Sequence, residues 1–128
     1  MNREIKPGGI APPAANYAHA VLSEGRSRWL HTSGVVPIRT NGEVPDAIGE
    51  QAEVVWGNIE AMLVQAAMEP TDIVSVTTYV VAGEDLAPVM ATRDAFLGNH
   101  RAASTLVTVP ALVRPEWKVE IAVVASAA

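Results

Sequence analysis

Between Pro45 and Pro70 the apolar residues recur every third or fourth position: Ile48, Ala52, Val55, Ile59, Met62 and Ala66. On a helix these fall in one stripe, so the segment predicts an amphipathic helix with a single buried face. Glu50, Glu53 and Glu60 lie off the stripe, towards water. Pro45 and Asp46 open the segment, and Pro70, which cannot continue a helix, ends it. Such a helix draws its stability from packing, so the rest of the chain must supply a surface for it.

Strands supply that surface. Ile73 to Val81 is dense in Val, Thr and Tyr and suits a strand with both faces largely covered. A second helix follows, with Asp85 as its cap, Pro88 in its first turn and Gly98 at its end. Ser104 to Val109 and Lys118 to Ala125 read as two further strands, joined by a Pro-bracketed loop around Arg114. Before the first helix, Tyr17 to Leu22 and Trp29 to Ser33 flank the polar turn Ser23-Glu24-Gly25-Arg26, a pattern that predicts a β-hairpin. Thr40-Asn41-Gly42 marks another turn. The first 16 residues, rich in Pro and Gly, read as an extended lead-in without a helix. The expected order is β-β-α-β-α-β-β in one α+β domain, residues 1–128, with both helices on one face of a sheet. The other face then needs cover, which self-association could supply.

Composition excludes several functions. A chain of 128 residues at 49% hydrophobic and 18% charged is globular and slightly apolar for a small monomer, which hints at a subunit interface. A net charge of −5 argues against a nucleic-acid partner, and the one basic cluster, Arg26-Ser27-Arg28, reads as a solvated turn. The absence of cysteine removes disulfides, thiolate chemistry and Cys-type zinc sites. Met1-Asn2-Arg3-Glu4 has no apolar signal core and no segment suits a membrane span, so a soluble, cytoplasmic protein is the expectation.

Standard catalytic motifs are missing: no Gly-rich phosphate loop, no His-Glu-x-x-His, no nucleophile elbow. His19, His31 and His100 lack metal-ligand spacing, and no carboxylate cluster suggests calcium, so neither a metal nor another cofactor is expected. His19 and His31 could meet across the hairpin as polar positions. One residue stands out. Glu120 sits alone in Val119-Glu120-Ile121-Ala122-Val123-Val124-Ala125, a run that reads as a buried strand. A carboxylate there is costly unless it is paired, hydrogen-bonded or used. Lys118, two residues earlier on the same face, offers a structural ion pair as the alternative to catalysis. Tyr17 can be a half-buried hairpin aromatic, and Gly34 after Ser33 can serve a turn alone.

Five segments carry a family resemblance. They are Ala15-Asn16-Tyr17-Ala18-His19-Ala20-Val21, Thr32-Ser33-Gly34-Val35-Val36-Pro37, the helix pairs Glu50-Gln51 and Asn58-Ile59, Asp72-Ile73-Val74 with Thr77-Thr78-Tyr79-Val80, and Lys118-Val119-Glu120-Ile121. In order and spacing the chain resembles the Rid (reactive intermediate deaminase, YjgF-like) family over nearly its whole length. The resemblance implies a chorismate-mutase-like α+β fold and a homotrimer with sites between subunits. It also implies a small-molecule substrate, an imine or enamine hydrolysed to a carbonyl compound and ammonia without a cofactor. Glu120 would then position or activate water, and Tyr17, Ser33, Gly34, Ser104 and Thr105 would line the cleft.

The chain departs from the family where a carboxylate would be held. The family writes His-x-Pro-Ala-Arg-Ser, and here His100-Arg101-Ala102-Ala103-Ser104-Thr105 puts Ser104 in the arginine's place. Met90 falls where the second helix carries Asn, and the loop before Glu120 is one residue longer. A hydrogen bond to a charged group is worth about 1.5–3 kcal/mol, so the loss implies roughly a tenfold to hundredfold penalty on an amino-acid-derived imine. Arg114, in the longer loop, is a better replacement than Arg101, whose offset points it to the opposite face. Substrates other than the usual amino-acid-derived ones are therefore expected, and a non-catalytic ligand-binding or regulatory trimer is the competing function. The RNA cleavage ascribed to some relatives does not suit the acidic composition.

Overall fold

The computed structural model describes residues 1–128. Its elements are β1 (Asn2–Ile5), β2 (Ala20–Ser23), β3 (Arg28–His31), α1 (Ile48–Gln65), β4 (Ile73–Val81), α2 (Ala87–Leu97), β5 (Ala103–Val109) and β6 (Val119–Ala127), with a 3-10 turn at Pro70–Asp72. A four-stranded sheet runs β3-β6-β4-β5, and β1 and β2 form a small second sheet. Strand β6 is antiparallel to both β3 and β4, while β4 and β5 are parallel and joined through α2.

The predicted hairpin does not form. Strand β2 pairs with β1, and β3 pairs with β6, so the polar turn carries the chain from one sheet to the other. Nine residues long and central, β6 needs partners along both edges; β4 satisfies one, and Arg28–His31 serves its end on the other. The lead-in, expected to be extended and without a helix, supplies Asn2–Ile5 as the partner of β2. His19 and His31 consequently do not meet. His19 donates from Nε2 to the Ala11 carbonyl at 2.8 Å, and His31 stacks on Trp29.

Both helices cover one face of the sheet. Val119, Ile121, Val123 and Ala125 of β6 point into that layer and are at most 1% exposed. From β4, Val76, Thr78 and Val80 join them. Helix α1 answers with Ala52, Val55, Trp56, Ile59 and Leu63. The stripe is rotated from the predicted one in its second half: Leu63 is buried and Met62 lies at the rim, 38% exposed. Helix α2 closes the layer with Val89 and Leu97, and its Phe96 stacks on Trp56 at 4.7 Å. The residues at its ends are those the sequence marked: the Asp85 carboxylate accepts from the Ala87 N–H at 3.0 Å, and Gly98 takes a positive φ (60°), which glycine adopts without a Cβ penalty.

The end of α1 is a Schellman closure, with Met68 N–H bonded to Leu63 O (2.8 Å) and Ala67 N–H to Val64 O (3.0 Å). Ala67 holds the left-handed position at φ 54°, where glycine carries no Cβ penalty. The Ala67→Gly variant should gain about 1 kcal/mol, seen as a higher urea midpoint at unchanged m-value.

Two devices aim the sheet's other face. At one end the β1–β2 sheet folds over it: the fully buried Ser126 donates from Oγ to Asn2 Oδ1 at 2.9 Å, and Asn2 Nδ2 donates to the Ser126 carbonyl at 3.1 Å. The other end, around Glu120, is left open. There the fully buried side chain of Gln51 fixes the approach to β6. Its Nε2 donates to the carbonyls of Pro45 and Glu116, and its Oε1 accepts from the Lys118 N–H, each at 2.8 Å. In the Gln51→Leu variant these backbone groups lose their partner, and the expected cost is about 2–4 kcal/mol in equilibrium denaturation.

Candidate active site

Side chains alternate along β6, so with Val119 and Ile121 in the core, Glu120 must face the other way. It is half-buried on the open end of the sheet, not enclosed as the apolar run suggested. Only one face of β6 is covered by helices there. The ion pair offered by sequence does not form either: the Lys118 ammonium lies 3.4 Å from Glu84 and donates to the Asp46 carbonyl at 2.7 Å.

Glu120 opens onto a cavity of about 470 Å³ shared with Gly34, Tyr79, Val109, Ala111, Leu112, Val113 and Ala122. Three elements and a loop meet here. Tyr79 is the register partner of Glu120 on β4, Val109 ends β5, and Ala111 to Val113 belong to the loop that returns to β6. No lysine, arginine or histidine lines the cavity. Its walls are aliphatic and aromatic, and its charge is the single carboxylate.

Gly34 sits here for close approach, not for a turn. Pairing of β3 with β6 runs to His31↔Val124 and resumes at Val35↔Ile121, which places one more residue on this strand than on β6. The Thr32 hydroxyl accepts from the Val123 N–H at 3.0 Å across the interruption, and Val35 and Ile121 exchange bonds of 2.7 and 3.1 Å beyond it. The backbone of Gly34 is thereby laid on the Glu120 carboxylate. A Cβ at this position would stand 1.9 Å from Oε2 and 2.7 Å from Cδ.

The remaining predicted residues are dispersed. Ser33 is exposed and lines a different, larger concavity of about 830 Å³ between residues 30–38 and α1. That groove holds no acidic side chain. Ser104 lies on the helix face, in register with the buried Val76, and its Oγ is 3.5 Å from Arg93 Nη1. Its neighbour Thr105 is in register with Thr77, on the face that carries Glu120. Arg114 lies over the Trp117 ring at 5.2 Å. Arg101 donates to the Tyr17 carbonyl and pairs with Glu4 at 3.5 Å.

Tyr17 is half-buried beside the start of β5, where Ala18 bridges to Ala103. Glu120 is in register, through Tyr79, with Val107, four residues further along that strand, or about 13 Å. Tyr79, Leu112 and Val113 escaped the sequence reading. Tyr79 could have been found from period-two alternation, had the partner of β6 been known; nothing local marks the loop residues.

Comparison with known proteins places this geometry. The sequence model described as Endoribonuclease L-PSP matches residues 9–127. The 2-iminobutanoate/2-iminopropanoate deaminase of Escherichia coli (strain K12) is 36% identical over 98 residues, covering 73% of this chain and 76% of that protein. The crystal structure of YyfB from Yersinia pestis, a Rid-family protein of unknown function, superposes with a TM-score of 0.86 at 31% identity and 98% coverage of both chains. E. coli TdcF with bound serine gives a TM-score of 0.73 at 25% identity, covering 98% of this chain and 99% of its own. The architecture is the YjgF-like α+β domain. The chain belongs to the Rid family, whose sequence model carries the Endoribonuclease L-PSP description.

The contact between Gly34 and Glu120 can be tested directly. In Gly34→Ala the added methyl meets the far end of a flexible side chain, so stability should change by less than about 1 kcal/mol. The carboxylate must swing away, which a crystal structure or the Glu120 carboxyl ¹³C shift would register.

Proposed function

We propose that the chain is a Rid-type hydrolase of a reactive imine or enamine, with Glu120 as the group that orients and deprotonates water. The observation that carries this is a carboxylate without a cationic partner, held by a glycine at the wall of an apolar cavity. Such a group accepts the water proton as oxygen attacks the imine carbon, and collapse of the carbinolamine releases the amine and leaves a carbonyl. The E. coli relative named for 2-iminobutanoate and 2-iminopropanoate supports the reaction class.

The substrate proposed here is not the usual amino-acid-derived imine. A substrate carboxylate in this cavity would face Glu120 with no cation to balance it. The serine bound by TdcF carries such a carboxylate; this chain offers no matching charge at Glu120. We place the working cleft between subunits of a homotrimer. Two things support that: the open outer face at Glu120, and the span of the sheet between Tyr17 and Glu120, too long for one small substrate to touch both in a single chain. A second copy would bring its own Tyr17, Ser33 or Arg114 to the carboxylate.

A panel of imines generated in situ, with and without a carboxylate, tests the proposal. Glu120→Gln should slow decay of the accepted imines at least about a hundredfold. Equal rates for both proteins on every substrate would end it and favour a ligand-binding trimer that keeps the pocket without the chemistry. A Glu120-dependent rate confined to carboxylate-bearing imines would show that a cation arrives from elsewhere, and Arg114→Ala would identify it.

A further inference from the structure

Eight residues line the cavity at Glu120, and two of their side chains carry polar atoms: Glu120 itself and Tyr79. The two are direct register partners across β4 and β6, which puts their Cβ atoms about 4.5–5.5 Å apart on one face. Tyr79 is half-buried on the outward face, opposite the core side where Thr78 and Val80 are buried, so packing of the helix layer makes no demand on it. The remaining walls, Val109, Leu112, Val113 and Ala122 among them, can neither give nor take a proton. A neutral imine is a poor electrophile until its nitrogen is protonated, and within one chain the cavity contains one side chain able to donate to it.

Building on the imine-hydrolase reading, we propose that Tyr79 is the catalytic acid partnered with Glu120. As the water oxygen bonds to the imine carbon, its proton passes to the Glu120 carboxylate and the Tyr79 hydroxyl proton passes to nitrogen. The product is a neutral carbinolamine, beside a protonated Glu120 and a Tyr79 phenolate. On collapse, Glu120 returns its proton to the departing nitrogen as the C–N bond breaks. The carbinolamine hydroxyl proton passes to the Tyr79 oxygen as the carbonyl forms. Both side chains recover their starting states, and one water has been consumed per amine released. The pair suits an uncharged imine with an apolar substituent, because nitrogen acquires its proton inside the cavity and the aliphatic walls take the substituent.

The test uses the N-methyl imine of acetophenone and the corresponding N,N-dimethyl iminium salt, followed by absorbance against wild type, Tyr79→Phe and Glu120→Gln. Phenylalanine keeps the ring and removes the donor. On the N-methyl imine, Tyr79→Phe should lower kcat about a hundredfold with KM changed less than about threefold. On the iminium salt, whose nitrogen already carries its charge, Tyr79→Phe should act within about threefold of wild type, while Glu120→Gln slows both substrates. Tyr79→His, which restores a donor, should recover part of the loss. The proposal is overturned if Tyr79→Phe matches wild type on the N-methyl imine, if it slows both substrates alike, or if wild type turns over neither. Glu120→Gln at wild-type rates would instead bring down the hydrolase reading itself.

Discussion

The register of β6 is the constraint on which the rest depends. Its odd-numbered residues from Val119 to Ala125 are sealed against α1 and α2, each contributing burial worth about 1–3 kcal/mol. A slip of one residue would turn this whole set to the outer face and bring Glu120 into the core. The cost of that exchange holds the carboxylate outward. Stability and site geometry are therefore set by one alternation, and the site has no separate scaffold.

Around that strand, polar contacts resolve problems the sheet creates. Gln51 serves three backbone groups at the entry to β6, which no regular ladder reaches. The Thr32 hydroxyl replaces an acceptor where β3 departs from β6, and the extra residue delivers Gly34 to Glu120. Arg93 on α2 faces Ser104 from the helix side, so this serine contributes to interlayer contact in this fold. The outer face there carries Thr105 instead.

Membership of the Rid family accounts for the reaction class, and the cavity accounts for what is distinctive. Its lining has one carboxylate, one phenol and no cation. Within one chain, that lining is the ground for the proposed preference for neutral imines over amino-acid-derived ones. The larger groove beside α1 shares Gly34 with this cavity but has no acid of its own.

From the residues alone, the two helices, the strands β4 to β6, the caps at Asp85 and Gly98 and the singular status of Glu120 were all legible, because each rests on local periodicity or local turn chemistry. Pairing was not. Which strand β2 and β3 would join depends on edges far away in sequence: β1 before them and β6 a hundred residues later. The same holds for the site. Two-residue spacing suggested Lys118 beside Glu120, and the family resemblance put Ser104 and Thr105 in one cleft, but a lysine chooses among all nearby anions and successive strand residues face opposite ways. Tyr79 and Gly34 meet Glu120 only through register and a bulge, both products of the assembled sheet. The sequence by itself determined that a lone carboxylate would lie in an otherwise apolar strand; tertiary structure decided its face and its companions, because burial of one side of β6 leaves the other side open.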